Sequence, residues 1–210
     1  RHQVYYYQEM LKDLGLICSH QELFLALPDT VNEWAGDFLA AKAGSPVVGM
    51  NPGAAYGPAK RWPAERYAGL AKRLAEELNA TLLVFGTAAD AEVAAEIGAA
   101  AVGQVYDLTG KTTLAQAMAL IGRCDAFVTN DSGLMHVAAA QKTPLVAIFG
   151  STDAVATGPF APKVEVVNKN LPCSPCLKTH CPRNDFACML EIGVDEVYAA
   201  TCRLLENEER

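Results

Sequence analysis

The 210-residue sequence has no excess of basic residues and no long hydrophobic run. It contains 17 Lys and Arg against 24 Asp and Glu, for a formal net charge of −7. No basic patch runs along the chain, so nucleic acid is not an expected partner. No apolar stretch reaches the ~18 residues of a membrane span, and residues 1–7 lack the apolar core of a secretory signal. The seven cysteines are therefore expected to be thiols in a reducing cytoplasm.

Two nucleotide-binding fingerprints are also missing. No Gly-Lys-Ser/Thr follows the glycines of the loop at 53–57, and no Gly-x-Gly-x-x-Gly occurs. The first absence argues against a P-loop. The second argues against a Rossmann site of the dinucleotide type.

Short apolar strands alternate with helices from residue 46 onward. Strands are predicted at 46–50, 81–86, 104–107, 125–129, 144–149 and 164–168. Helices are predicted at 2–15, 29–43, 63–79, 90–101, 113–122, 133–141 and 194–208. This alternation predicts an α/β fold, a Rossmann-like parallel sheet with helices on both faces. Asp29 and Gly44 are the expected start and stop of the second helix, and 24–28 is a short strand or a linker.

The segment 128–136 carries the strongest local signal. An apolar strand enters a polar turn and then a helix that Asp131 or Ser132 can cap. Gly133 allows close approach to the backbone, and the first helix amides have no intrahelical partner. This pattern predicts an anion site suited to a diphosphate. The alternative is an ordinary capped turn.

A second loop follows the strand at 46–50. It is rich in Gly, Ala and Pro, and Lys60 and Arg61 add positive charge. Pro63 suits the first turn of the next helix. Because both loops follow the carboxyl ends of strands, where parallel sheets bind ligands, they are expected to share one crevice. The alternative is a long surface loop with solvated charges.

Three segments resemble the lipopolysaccharide heptosyltransferases of glycosyltransferase family 9, in particular those that act second. They are Asn51–Pro63 (NPGAAYGPAKRWP), Val128–Ala140 (VTNDSGLMHVAAA) and Val146–Phe160 (VAIFGSTDAVATGPF). The resemblance implies one half of a two-domain B-type fold. It also implies transfer of L-glycero-D-manno-heptose from ADP-heptose to a heptose of the lipopolysaccharide inner core. That transfer is expected to invert the anomeric carbon, without a metal or other cofactor.

The resemblance also suggests how the chain is divided. Residues 1–45 resemble the last helices and linker of a largely missing N-terminal domain, 46–192 the nucleotide-sugar-binding domain, and 193–210 a C-terminal helix. The missing domain would bind the acceptor, supply the general base and provide any contact with the inner face of the inner membrane. The chain alone is expected to bind the donor but to transfer sugar poorly.

Site residues follow from the same resemblance. Lys60 and the backbone amides of Ser132 and Gly133 are expected to meet the charge that develops on the diphosphate. Asp131 is expected to contact the heptose hydroxyls, and Lys60 and Asp131 are the catalytic candidates. The remaining expected donor contacts are Ala54, Ala55, Asp90, Thr112, Thr113 and His136. The alternatives are helix caps for the acidic and threonine side chains and a packed helical histidine. Trp62 could pack at the cleft, but a buried core position is the favoured alternative.

Four cysteines form a C-x2-C-x4-C-x6-C cluster: Cys173, Cys176, Cys181 and Cys188. Free thiols or an occasional disulfide are the favoured interpretation, and a tetrahedral zinc site is the alternative. Cys18, Cys124 and Cys202 are expected to be small core residues. Two other functions stay open: a non-catalytic adenine-nucleotide-binding module, and a metal-binding or redox protein built on the cluster.

Overall fold

The computed structural model describes residues 1–17, 22–42, 46–101, 103 and 105–206. Its strands are β1 (Val47–Asn51), β2 (Thr81–Val84), β3 (Val105–Asp107), β4 (Ala126–Asn130), β5 (Leu145–Ile148) and β6 (Val164–Val167). Its helices are α1 (Gln3–Asp13), α2 (Asp29–Ala40), α3 (Ala64–Leu78), α4 (Ala91–Ala100), α5 (Leu114–Ile121), α6 (Gly133–Ala140), α7 (Ala154–Thr157), α8 (Ala187–Leu190) and α9 (Val194–Glu206).

All six strands pair in parallel, in the order β3-β2-β1-β4-β5-β6. The predicted α/β fold with a parallel sheet is confirmed, and β6 forms the predicted edge. The chain moves outward from β1 in one direction through β3, then returns to the other side of β1 with β4. This reversal opens a crevice beyond the carboxyl ends of β1 and β4, where such sheets bind ligands.

Two hydrophobic clusters cover the two faces of the sheet. Leu82 and Val84 of β2 belong to the cluster that packs under α3, α4 and α9. Leu83, between them, belongs to the cluster under α2, α5 and α6. Successive strand residues point to opposite faces, so a strand buried on both faces consists of consecutive apolar residues. Burial on both faces therefore explains the short apolar runs.

Three helices depart from the sequence-based expectations. α2 starts at Asp29, but no side chain caps it, and it ends at Ala40. The expected stop at Gly44 lies outside the described residues. α7 and α8 were not predicted, because helices of four residues are too short to show a hydrophobic period. Residues 24–28 form no strand and connect α1 to α2 as a linker.

The first and last helices, α1 and α9, differ in how far they are buried. α9 buries Val197, Ala200 and Leu204 in the cluster that also contains α3, whereas α1 has no buried residue. The proposed boundaries at 45 and 192 stay predictions. Among the described residues, no helix has the length and apolar character needed to cross a bilayer.

Leu74→Ala tests the cluster under α3. Leu74 is fully buried, so we expect the free energy of unfolding to fall by about 2–5 kcal/mol, measured by urea denaturation. Leu114→Ala is the matched control, because Leu114 is 65% exposed on α5 and its truncation should change stability by about 0.5 kcal/mol or less. Equal losses in the two variants would contradict this assignment of the core.

Candidate functional site

Asn130, the last residue of β4, holds the glycine-rich loop 52–62 at both ends. Its amide nitrogen donates to the Pro52 carbonyl at 2.7 Å, and its amide oxygen accepts from the Trp62 backbone N–H at 3.1 Å. Trp62 is buried, as the core alternative predicted, and its indole N–H donates to the Ile192 carbonyl at 3.0 Å. The loop is therefore fixed against the crevice at the point where the strand order reverses.

Lys60 and Asp131 form an ion pair inside the crevice. Lys60 Nζ lies 2.6 Å from Asp131 Oδ2, and the two side chains are only 14% and 8% exposed. Thr152 donates to the same oxygen at 2.7 Å. The alternative in which Asp131 only caps the helix is wrong, because its carboxylate faces these partners instead. Among the described residues Oδ1 accepts no hydrogen bond, so it can accept one from a ligand hydroxyl.

Ser132 occupies the N-cap position of α6, but its side chain caps no amide. Its hydroxyl instead accepts from Asn51 Nδ2 at 2.7 Å and lies 3.2 Å from Thr129 Oγ1. Gly133 opens the helix, and a Cβ added there would meet nothing within 4 Å. The first turn of α6 therefore presents free backbone N–H groups and the positive end of its dipole to the crevice.

Asp90 lies in the loop after β2, directly before α4, in the neighbouring part of the crevice. Its carboxylate is buried and accepts from the backbone and hydroxyl of Thr87, at 2.9 and 2.8 Å. Asp90 thereby completes a capping box in which Thr87 is the cap. It also occupies the N-cap position of α4, as the capping alternative predicted, but its side chain bonds no amide of that helix. A Cβ at Gly53 would lie 2.8 Å from this carboxylate, so a larger residue there would have to displace the Asp90 side chain. Arg61 approaches it to 3.8 Å.

Two adjoining pockets meet at the start of α6. Their volumes are about 640 and 530 Å³, and Ala55, Ser132 and Gly133 line both. The larger pocket holds the remaining predicted residues Lys60, Asp131 and His136. The smaller holds the remaining predicted residues Ala54, Asp90, Thr112 and Thr113. The structure thus brings every predicted site residue to one crevice, although these residues come from four separate loops.

Thr113 and His136 differ from the other predicted residues, the first in its role and the second in its charge. Thr113 caps α5 by accepting from the Gln116 N–H at 3.2 Å, so the capping alternative is confirmed for it. Burial lowers the pKa of His136, although the Asp131 carboxylate opposes that shift. His136 is therefore mainly neutral at pH 7, and it can donate or accept a hydrogen bond in the larger pocket.

None of the four clustered cysteines lines either of the two pockets. Cys173, Cys176, Cys181 and Cys188 are free thiols that line one small pocket. Burial, followed by the nearby cysteines, raises the pKa of Cys188. Within the described ranges, no group of three or more His, Cys, Asp or Glu side chains is arranged to hold a metal ion. The absence of a metal stays a prediction.

The other cysteines fit their predicted core positions only in part. Cys124 is buried under β1, and burial raises the pKa of its thiol. Cys202 is half-buried on α9, and Cys18 lies outside the described residues.

Sheet order, glycine-rich loop and helix N-terminus together define a Rossmann-like domain of the B-type glycosyltransferases. The structure is similar to that of ADP-heptose lipopolysaccharide heptosyltransferase II of E. coli, with 36% identity and a TM-score of 0.75 over 89% of this chain and 54% of that one. A family 9 glycosyltransferase of Veillonella parvula aligns over 99% of this chain and 60% of its own, at 27% identity and a TM-score of 0.85.

The chain belongs to glycosyltransferase family 9 (heptosyltransferase), whose model matches residues 8–187. It is 48% identical to lipopolysaccharide heptosyltransferase 2 of Salmonella typhimurium, over 58% of this chain and 36% of that protein. Lipooligosaccharide heptosyltransferase 2 of Campylobacter jejuni is 36% identical over 80% of this chain and 54% of its own length. The chain thus spans about a third to a half of the length of these relatives.

Two residues of the site were not singled out from the sequence. Asn51 is a buried amide at the end of an apolar strand, a signal that could have marked it. Thr152 lies in the loop after β5 and reaches Asp131 only because β4 and β5 are neighbours. No local pattern indicates that contact.

Thiol titration of the native chain tests the cysteine assignments. We expect an aromatic disulfide reagent at pH 8 to react with exposed Cys173 and to leave Cys124 unmodified until the chain unfolds. The reason is that the thiolate is the reactive form and burial disfavours it at Cys124.

Cys124→Ser is the control for this titration. It should leave the native reaction unchanged and remove one thiol from the count in denaturant. Adding ZnCl₂ should not slow the native reaction. Zinc protection of the cluster thiols would overturn the prediction that they bind no metal.

Proposed function

We propose that this chain forms the donor-binding part of a heptosyltransferase that transfers L-glycero-D-manno-heptose from ADP-heptose to a heptose of the lipopolysaccharide inner core. The transfer inverts the anomeric carbon and needs no metal. One observation carries the proposal: the uncapped N-terminus of α6 lies where two pockets meet, beside the Lys60–Asp131 pair. A nucleoside diphosphate sugar has three matching parts: a nucleoside and a sugar, one for each pocket, and a diphosphate between them for the helix N-terminus.

The two pockets suit the two ends of such a donor. The smaller one is bordered by Asp90, Thr112 and Thr113 and accommodates the adenosine. The larger one contains Asp131 and His136 and accommodates the heptose, whose hydroxyls need acceptors such as Asp131 Oδ1. The diphosphate then lies against Ser132 and Gly133, where backbone N–H groups and the helix dipole favour negative charge.

Charge development explains how this arrangement accelerates transfer. As the bond to the anomeric carbon breaks, negative charge accumulates on the leaving ADP. Lys60 and the first amides of α6 are fixed hydrogen-bond donors. They stabilise the charge that develops on the leaving ADP more than they stabilise the diphosphate of intact ADP-heptose. These donors take the place of a divalent cation. The proposal assigns no residue of this chain as the base that deprotonates the acceptor.

The acceptor and the location belong to the same proposal. The relatives named above are lipopolysaccharide and lipooligosaccharide heptosyltransferases, which supports an acceptor in the lipopolysaccharide core. We also propose that the protein acts in the cytoplasm, at the inner face of the inner membrane, by analogy with these relatives. Because the chain spans only part of its relatives' length, acceptor binding is assigned to no residue here.

Calorimetric titration with ADP and UDP in EDTA tests the donor site. We expect saturable binding of ADP in preference to UDP, and Lys60→Ala should weaken ADP binding about tenfold or more, because it removes a charge-assisted contact to phosphate. Lys72→Ala is the matched control, since Lys72 is exposed on α3, outside both pockets. A folded wild-type chain that binds neither nucleotide would contradict the proposal.

Asp131→Asn tests the role of Asp131 separately from that of Lys60. Asp131 neutralises Lys60, so its replacement should strengthen ADP binding about fivefold, the effect of roughly 1 kcal/mol from one uncompensated charge. ADP-heptose should gain less, because a neutral amide oxygen is a weaker acceptor for its hydroxyls than a carboxylate. Asp37→Asn controls for the change in net charge, because Asp37 is an exposed residue of α2. Weaker ADP binding by a folded Asp131→Asn chain would argue against this role.

A further inference from the structure

Ser132 occupies the cap position of a helix without capping it. Its backbone conformation, φ −151° and ψ 171°, is extended, as a capping serine requires, yet its hydroxyl bonds none of the α6 amides. A serine at this position normally accepts from the second or third helix amide, which here are those of Leu134 and Met135. Another contact therefore holds the hydroxyl away from these amides, and the helix lacks one capping hydrogen bond.

Asn51 is the residue that holds it. Its Nδ2 lies 2.7 Å from Ser132 Oγ and 3.0 Å from Thr129 Oγ1. Thr129 donates its only hydroxyl hydrogen to the Asn130 carbonyl at 2.8 Å, so it accepts from Asn51. The two hydroxyls are thus the nearest acceptors for the two hydrogens of the Asn51 amide, and the Gly53 carbonyl, at 3.4 Å from Nδ2, is a longer third contact. Asn51 is 4% exposed and Thr129 is fully buried, so water does not compete.

We propose that Asn51 is a positioning residue that converts Ser132 from a helix cap into a donor for the phosphate group of the ligand. With Asn51 as its donor, Ser132 Oγ keeps its own hydrogen. In the free chain that hydrogen can go to Thr129 Oγ1, 3.2 Å away, and a ligand oxygen in the crevice can accept it instead. The contact with Asn51 also leaves the Leu134 amide uncapped, so it remains available to the same anion. This inference rests on the proposed function for the nature of the anion, a nucleoside diphosphate.

The geometry explains why the strand end, rather than the loop, carries this residue. Asn51 lies opposite Thr129 in the pairing of β1 with β4, and Ser132 follows three residues later. The sheet itself therefore sets the position of the amide relative to both hydroxyls. A longer or more mobile side chain on the loop would not hold Ser132 in one rotamer.

A double-mutant cycle on ADP affinity tests the coupling. Asn51→Ala and Ser132→Ala should each weaken ADP binding about tenfold, the effect of one hydrogen bond to a charged group. In the Ser132→Ala background, Asn51→Ala should change the affinity less than twofold. Asn168→Ala, outside both pockets, is the control. Equal losses from Asn51→Ala in both backgrounds would overturn the proposal.

Amide hydrogen exchange without nucleotide provides a second readout that does not depend on ligand. In Asn51→Ala the released hydroxyl should cap α6, and exchange of the Leu134 amide should slow about fivefold. A merely structural role would speed this exchange instead. Unchanged or faster exchange would therefore overturn the proposal, even if the chain bound no ADP and the proposed function failed. Asn51→Leu, similar in size, replaces Asn51→Ala if that variant does not fold.

Discussion

The parallel pairing of β1 with β4 is the constraint on which the rest of the site depends. It places Asn51 opposite Thr129 and brings the glycine-rich loop beside the start of α6. Asn130, at the end of β4, then fixes both ends of that loop through one amide group. The strand order reverses at this same pair of strands. The crevice is thus a product of the sheet topology, and the loops add its chemistry.

The charges of the crevice are balanced before a ligand arrives. Lys60 is paired with Asp131, and Arg61 lies 3.8 Å from Asp90. Net positive charge therefore contributes little, and the crevice offers an anion individual donors: Lys60, the first backbone amides of α6 and the hydroxyl of Ser132. Such donors are already in place, so little reorganisation is needed when charge develops.

The sequence predicted the long elements well and the side-chain partners poorly. Every predicted strand from β1 to β6 is present, because burial on both faces of a sheet leaves a local apolar run. The alternative in which Asp131 only caps the helix was wrong, although a carboxylate next to the start of a helix can either cap it or bond a distant side chain. Lys60 and Thr152 come from distant segments and form the stronger contacts. Thr113, whose partner Gln116 is only three residues away, was predicted correctly.

The sequence by itself determined the α/β class, the approximate position of each long element, and the family, since apolar period and motif are properties of consecutive residues. Only the tertiary structure decided which polar groups meet. Lys60 and Asp131 are 71 residues apart in the chain, and Asn51 and Ser132 are 81 apart. Their contacts depend on strand order and register, which pair distant segments. The physical reason is that hydrogen bonds act over about 3 Å, a distance that local sequence patterns do not encode between remote residues.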